Sequence, residues 1–292
     1  MKKKIALITG GYSGEAVISY KSANNIEKNL DTDKWETYKI DINPEGWNYL
    51  ATENKKTPVD KNDFSITIGG QKINFDAVLV GLHGTPGEDG KLQGYFDTLG
   101  IPYTSCDTAT SALTFNKRYT VAVAAFAGIH VAKSVHLFKH IPVTVESILA
   151  TLQLPVFVKP NNGGSSIGMS KVKEPEALQA ALDKAFAEDD QVLVEEFIKG
   201  RELTIGVFKS NGQVIALPIT EIIAKNEFFD YEAKYEGASE EITPAQCDES
   251  IAEKVRDAAK KAYAVFNCNG LVRIDFIYDE TTGSPFMLEI NT

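Results

Sequence analysis

The chain has 292 residues, 43% hydrophobic and 24% charged, enough apolar mass for two or three packed domains and too balanced for a disordered or fibrous protein. Its net charge is −10 and no basic cluster is longer than Lys2-Lys3-Lys4, so neither nucleic acid nor an anionic membrane is an expected partner. Cys106, Cys247 and Cys268 show no CxxC spacing or disulfide framework, which fits a reducing, cytoplasmic setting, and the longest apolar stretch, Val121 to Ile129, is far below the roughly 20 residues of a membrane span.

The first strand is KIALI, whose four-residue apolar stretch Ile5 to Ile8 is too short for a signal peptide. EAVISYKSANNIEKNL then has helical spacing, WETYKIDI and DAVLVGLHG read as strands, and GEDGKLQGYFDTL reads as a helix. This alternation predicts right-handed βαβ units on a parallel sheet. FSITI-GG-QKINF interrupts it as a β-hairpin inserted before Asp76.

A second domain is expected to start near Ser105, with Asn116 or Thr114 capping a helix that ends at Gly128. Extended HVAKSVHLF, the strand LPVFVKP, the helix EPEALQAALDKAFAE and the strand QVLVEEF follow. The last third contains the hairpin RELTIGVFKS-NG-QVIALPITEII, a polar loop from Lys225 to Glu240, a helix from Asp248 to about Phe266, and the strands GLVRIDFIYD and PFMLEIN.

Three glycine-rich loops stand out: GGYSGE, LHGTPGEDG and NNGGSSIG. None matches the dinucleotide or Walker fingerprint, but two follow parallel strands, where α/β sheets place ligands. The third joins Lys159 on a strand to consecutive glycines and to Ser165 and Ser166, so backbone N–H groups, hydroxyls and one ammonium can surround phosphate oxygens. In the final strands, RID and EIN put Arg273 with Asp275, and Glu289 with Asn291, each pair on one face by period-two alternation. Asp275, Glu289 and Asn291 are oxygen donors suited to Mg²⁺ bridging phosphates, and burying such groups is costly without a function. His136 and His140 are spaced for one helical face, but their surroundings are β-prone and lack a third ligand, so they read as solvated histidines. The run Glu188-Asp189-Asp190 reads as a solvated loop.

With these residues in place the chain resembles the ATP-grasp ligases, and within them the D-alanine–D-alanine ligases. The resemblance runs from Lys3 to Thr292 and rests on GGYSGEAVIS, LHGTPGEDGKLQG, NKRYT, FVKPNNGGSSIGMSKV, VLVEEFIKGRELTI, FFDYEAKY, GLVRIDF and LEINT, in the family's order. It implies an α/β protein of the ATP-grasp fold. An N-terminal Rossmann-like parallel-sheet domain (1–105) would be followed by two α+β ATP-grasp subdomains, 106–196 with the phosphate loop and 197–292 with the metal site.

The resemblance also implies residue roles. Lys117 and Lys159 would meet the α and β phosphates of ATP, and the loop from Asn161 to Ser166 would close over them. Glu195 and the backbone near Ile198 would hold adenine, Glu202 the ribose hydroxyls and Lys234 the γ-phosphate. Asp275, Glu289 and Asn291 would hold two Mg²⁺ (or Mn²⁺) ions. Glu15 would bind the ammonium of the first D-alanine, His83 would lie beside its carboxyl group, and Ser165 with Tyr235 would link to Glu15 in a hydrogen-bonded triad. Arg273 and the Gly270 region would stabilise the tetrahedral oxyanion. The implied reaction forms an acylphosphate and then D-alanyl-D-alanine for peptidoglycan, in a homodimer. The loop from Lys225 to Glu240 would order over nucleotide.

Two departures from the family accompany this. Ala16 stands where a larger polar residue often follows the motif glutamate, leaving the E-x-x-x-S spacing intact. The chain also ends at Asn291-Thr292, where the family continues through a Pro-Gly turn and a serine that meets the second substrate's carboxylate. These 292 residues are therefore expected to bind MgATP normally and to need more of the second D-alanine. The rival readings are a D-alanine–D-serine or D-alanine–D-lactate ligase, with Tyr235 as discriminator favouring the dipeptide, and a nucleotide-binding module with little turnover.

Overall fold

The computed structural model describes residues 2–52, 55–224 and 239–292, which divide into two compact units, 1–112 and 113–292. In the first, β1 (Lys3–Gly10) is followed by α1 (Ala16–Asn29), β2 (Trp35–Asn43), β3 (Gly46–Thr52), β4 (Lys55–Asp60), β5 (Ser65–Ile68), β6 (Gln71–Ile73), β7 (Ala77–Val80) and α2 (Lys91–Leu99). One seven-stranded sheet runs β6-β5-β4-β3-β2-β1-β7. Only β2, β1 and β7 are parallel neighbours.

The parallel strands expected for this domain are β2, β1 and β7, and antiparallel strands extend them into a mixed sheet. Pro44-Glu45 alone separates β2 from β3, and so short a connection can only return the chain antiparallel. The Gly69-Gly70 turn forms as expected, with φ of 57° and 80° as a primed hairpin turn demands. Its hairpin extends the main sheet instead of standing apart from it. Strands β3 and β4 were missed, although Trp47 and Tyr49 alternate and pack on the buried core of Ile8, Ile40, Ile42, Phe64 and Phe96.

The second unit begins within α3 (Thr108–Phe115) and continues into α4 (Lys117–Phe126), where Asn116 is the cap: its side chain accepts the Tyr119 N–H at 3.2 Å. Then come β8 (Ser134–Phe138), α5 (Val145–Leu149), β9 (Val156–Pro160), β10 (Ser170–Val172), α6 (Leu178–Glu188) and β11 (Gln191–Glu196). The four strands make an antiparallel sheet in the order β10-β9-β11-β8, onto which α6 packs Leu178, Ala181, Leu182 and Ala185.

A second antiparallel sheet of six strands contains β12 (Arg201–Ser210), β13 (Gln213–Ala216), β14 (Thr220–Ala224), β15 (Ser239–Ile242), β16 (Leu271–Asp279) and β17 (Ser284–Asn291). The helix α7 (Glu249–Val265, Asp248 at its cap) buries Ala252, Val255, Ala259, Ala262 and Tyr263 on this sheet. The chain enters β12 through Gly200, where a Cβ would lie 2.1 Å from the Tyr278 carbonyl oxygen. Gly200→Ala is expected to destabilise the protein by about 3 kcal/mol, because the obstacle is backbone and cannot step aside as a side chain would. Urea unfolding measures this, and a midpoint equal to the parent's would disprove the clash. Among the described residues no helix is long and apolar enough to cross a membrane.

Candidate active site

The centre of the β12, β16 and β17 region follows from period-two geometry. Thr204 pairs with Asp275, and Asp275 pairs with Glu289, so the three side chains share one sheet face with Glu202, Arg273 and Asn291 at even spacing. The intervening Leu203, Ile205, Ile274, Phe276 and Ile290 are buried on the other. The ladder shifts register between Asp275 and Phe276, leaving Leu288 as the extra residue of a bulge beside the carboxylates.

Two carboxylates directly opposite each other repel, and here burial adds to that cost. Asp275 is 8% exposed, and burial pushes its pKa up, with Glu289 adding to the rise and the Arg273 guanidinium opposing it. Arg273 donates from Nε and Nη2 to the two carboxylate oxygens of Asp275, both at 3.0 Å, while Thr204 Oγ1 donates at 2.5 Å and Asn291 Nδ2 at 3.3 Å. The donor set is all oxygen: two carboxylates and the carbonyl of one side-chain amide. That set fits a hard divalent cation. Among the described residues no group of three His, Cys, Asp or Glu side chains gathers for a metal.

The same face forms one wall of an open cleft of about 810 Å³, whose lining includes Lys117, Lys159, Ser165, Glu202, Asp275 and Glu289. The loop between β9 and β10 supplies Asn162 to Ile167. Gly163 (φ 104°), Ser165 (54°) and Ser166 (59°) are left-handed, a conformation that turns the backbone sharply at consecutive polar residues. Two lysines enter from different elements. Lys117, at the first turn of α4, donates to the Gly163 carbonyl at 2.6 Å. Lys159, on β9, is paired at 2.5 Å with Glu195, its cross-strand neighbour on β11 displaced by two residues, and their side chains are only 14% and 9% exposed. Glu195 thus sits as the partner of Lys159, and Ile198 lies in the short connection from β11 to β12.

In the first unit, Glu15 follows β1 and His83 follows β7, two parallel neighbours whose carboxyl ends lie side by side. Glu15 is buried at the start of α1, and a Cβ on Gly84 (φ 71°) would lie 2.5 Å from its carboxylate, so glycine is what lets the His83 loop approach. The His83 backbone N–H donates to Ser19 Oγ at 2.8 Å, and its Nε2 is 2.9 Å from Ser22 Oγ.

Lys234 and Tyr235, with most of the loop from Lys225 to Glu240, lie outside the described residues. His136 lies within β8 and His140 beyond it, so no helical face joins them. His136 is half-buried, not solvated, and burial with the nearby Arg118 charge lowers its pKa. The acidic run is also corrected, since Asp189 accepts three hydrogen bonds at the base of the loop between β9 and β10. Thr204 went unnoticed in the sequence although it lies two residues beyond Glu202, the spacing that places it on the same face.

Two family models match the chain, one described as D-ala D-ala ligase N-terminus over residues 4–106 and one as D-ala D-ala ligase C-terminus over residues 115–292. The chain belongs to the D-alanine–D-alanine ligase family. A D-alanine–D-alanine ligase of Parabacteroides distasonis is 45% identical over all of this chain and 88% of its own length. One of Flavobacterium johnsoniae is 46% identical over 99% of this chain and 89% of its own. Among solved structures, the VanG D-Ala:D-Ser ligase of Enterococcus faecalis superimposes with a TM-score of 0.86 at 32% identity, covering 100% of this chain and 90% of that one. The α/β ATP-grasp fold expected from the motifs is thus the fold of this ligase family.

Proposed function

We propose that this chain joins two D-alanine molecules into D-alanyl-D-alanine, converting ATP to ADP and phosphate, as a step toward peptidoglycan. What carries the reading is the cleft, where two lysines, a loop with consecutive left-handed serines and an opposed carboxylate pair meet. Lys117 and Lys159 take the α and β phosphates, and the N–H groups and hydroxyls of residues 161–166 surround phosphate oxygens. Glu195 and the backbone near Ile198 take adenine, Glu202 the ribose hydroxyls, and Lys234 the γ-phosphate. Asp275, Glu289 and Asn291 would hold two Mg²⁺ or Mn²⁺ ions, which when bound neutralise charge on the transferring phosphoryl group.

At the donor side Glu15 takes the ammonium of the first D-alanine and His83 flanks its carboxyl group, with Ser165 and Tyr235 completing the hydrogen-bonded triad. A carboxylate oxygen of this D-alanine attacks the γ-phosphorus, the bond to the bridging oxygen breaks, and ADP leaves with that electron pair. The amine of the second D-alanine, after losing a proton, attacks the acyl carbon, and phosphate departs. Arg273 and the Gly270 backbone stabilise the oxyanion formed between those events. Phosphoryl transfer asks the protein mainly for position and charge, which these side chains supply.

With MgATP, the protein is expected to release phosphate when given D-alanine and not when given L-alanine, because Glu15, His83 and Ser165 distinguish the positions of ammonium, carboxyl and methyl groups. Equal phosphate release with the two enantiomers would sink the substrate assignment. The structural likeness to a D-Ala:D-Ser ligase favours D-serine as the second acceptor to compare. Mixed product exceeding D-alanyl-D-alanine in an equimolar mixture would select that reading. Residues 106–196 and 197–292 are proposed as the two ATP-grasp subdomains, in a cytoplasmic homodimer. Cys106, Cys247 and Cys268 form no disulfide with one another.

A further inference from the structure

We propose that Asp189 is a positioning residue for the nucleotide, acting through Asn162 at the entry of the phosphate loop. This rests on the assignment of residues 161–166 to the ATP phosphates. Asp189 ends α6 with extended backbone (φ −147°), and its carboxylate turns back toward β9. Oδ2 accepts both the backbone N–H and the side-chain Nδ2 of Asn162 at 2.8 Å, while Oδ1 accepts the Gln191 N–H at 3.0 Å.

The anchored point is also a junction with α4. Asn161 receives the Lys117 N–H on its carbonyl at 3.1 Å and the Arg118 N–H on Oδ1 at 2.8 Å. Asn162 Oδ1 accepts from Asn116 Nδ2 at 3.3 Å. One carboxylate therefore ties the start of the loop to the base of β11, and the two asparagines relay that position to the helix bearing Lys117. A Cβ built on Gly163, the next residue, would meet nothing within 4 Å, so apart from the Lys117 hydrogen bond to its carbonyl the loop is not packed there. The direction in which it leaves β9 is set at Asn162. With N–H donors on both oxygens, the Asp189 charge is also committed to the backbone and not directed at the anionic ligand. Its neighbour Asp190 is exposed, in a surface pair with Lys139 at 3.3 Å.

The test uses the whole protein and compares Asp189→Ala, Asp189→Asn, Asp189→Ser and Asp190→Ala by calorimetric Kd for Mg²⁺ with a non-hydrolysable ATP analogue, by the KM of ATP and of D-alanine, and by thermal midpoint. Asp189→Ala should raise the nucleotide Kd and the KM for ATP about tenfold, leaving the KM for D-alanine unchanged. Asp189→Asn should stay within about threefold of the parent, because an amide oxygen still accepts both Asn162 donors. Asp189→Ser should fall between them, and Asp190→Ala should match the parent. A lowered midpoint and kcat with the KM for ATP unchanged in the alanine variant would make Asp189 merely structural and overturn the proposal. If that variant does not fold, an unchanged nucleotide Kd in Asp189→Ser overturns it equally. A parent protein that fails to bind the analogue at all would instead refute the assignment of the loop to ATP.

Discussion

Asp275→Asn should reduce turnover by at least about a thousandfold and, at neutral pH, raise the thermal midpoint of the nucleotide-free protein. The first effect follows from the proposed metal role of Asp275, since a carboxylate ligand would contribute to a metal-derived charge stabilisation of several kcal/mol, and each 1.36 kcal/mol is tenfold in rate. The second follows from the sign of its pKa shift. Burial and Glu289 raise the Asp275 pKa above its unfolded value, despite Arg273. Ionising it therefore opposes folding: its stabilising contribution is complete below the unfolded pKa and is lost as pH rises through the folded one.

Asparagine does not titrate, and its oxygen can still accept from Thr204. Arg273 loses its partner at modest cost because its side chain is 54% exposed and Glu289 remains 3.9 Å away. The stability gain over the parent should vanish in acid, below the ordinary carboxylate range, and appear as the pH rises toward neutrality. Calorimetric midpoints across that range, with D-alanine-dependent phosphate release on the same samples, measure both effects. A lower midpoint at neutral pH, or turnover within tenfold of the parent, would contradict the account of this carboxylate pair.

Lys159→Met should be the most destabilising single change in the cleft. Glu195 is 7% exposed and would be left as a buried carboxylate without the ammonium 2.5 Å from it. Breaking one side of a buried ion pair costs about 3 to 5 kcal/mol, mostly from the stranded charge. If Lys159 meets phosphate as proposed, nucleotide affinity should fall by about ten- to a hundredfold from the lost charge-assisted contact. Adding Glu195→Gln removes the stranded charge and should restore most of the stability without restoring affinity. Chemical denaturation of the two variants, set beside their Kd for MgATP, separates the effects. A double variant that regains affinity along with stability would mean that Lys159 acts only through the fold.

Much of the architecture was legible because local rules dominate it. β1 is a continuous apolar run, as a strand covered on both faces must be. The Gly69-Gly70 turn and the Asn116 cap announce themselves through backbone geometry that few other residues adopt easily. β3 and β4 escaped because their apolar positions are sparse, and only pairing with β2 makes them strands.

For the site, the sequence by itself determined which residue types are present and, through alternation, that Asp275 shares a face with Arg273 and Glu289 with Asn291. Motif resemblance added the ligase family. Only the tertiary structure decided that β16 and β17 pair in the register that sets Asp275 opposite Glu289, that Lys159 is held by Glu195, and that Asp189 holds Asn162. These are contacts between residues far apart along the chain. Local periodicity specifies the face on which a side chain stands, whereas cross-strand register and loop anchoring depend on how separate elements pack. A run of acids can therefore look like a solvated loop until the fold brings its hydrogen-bond donors to it.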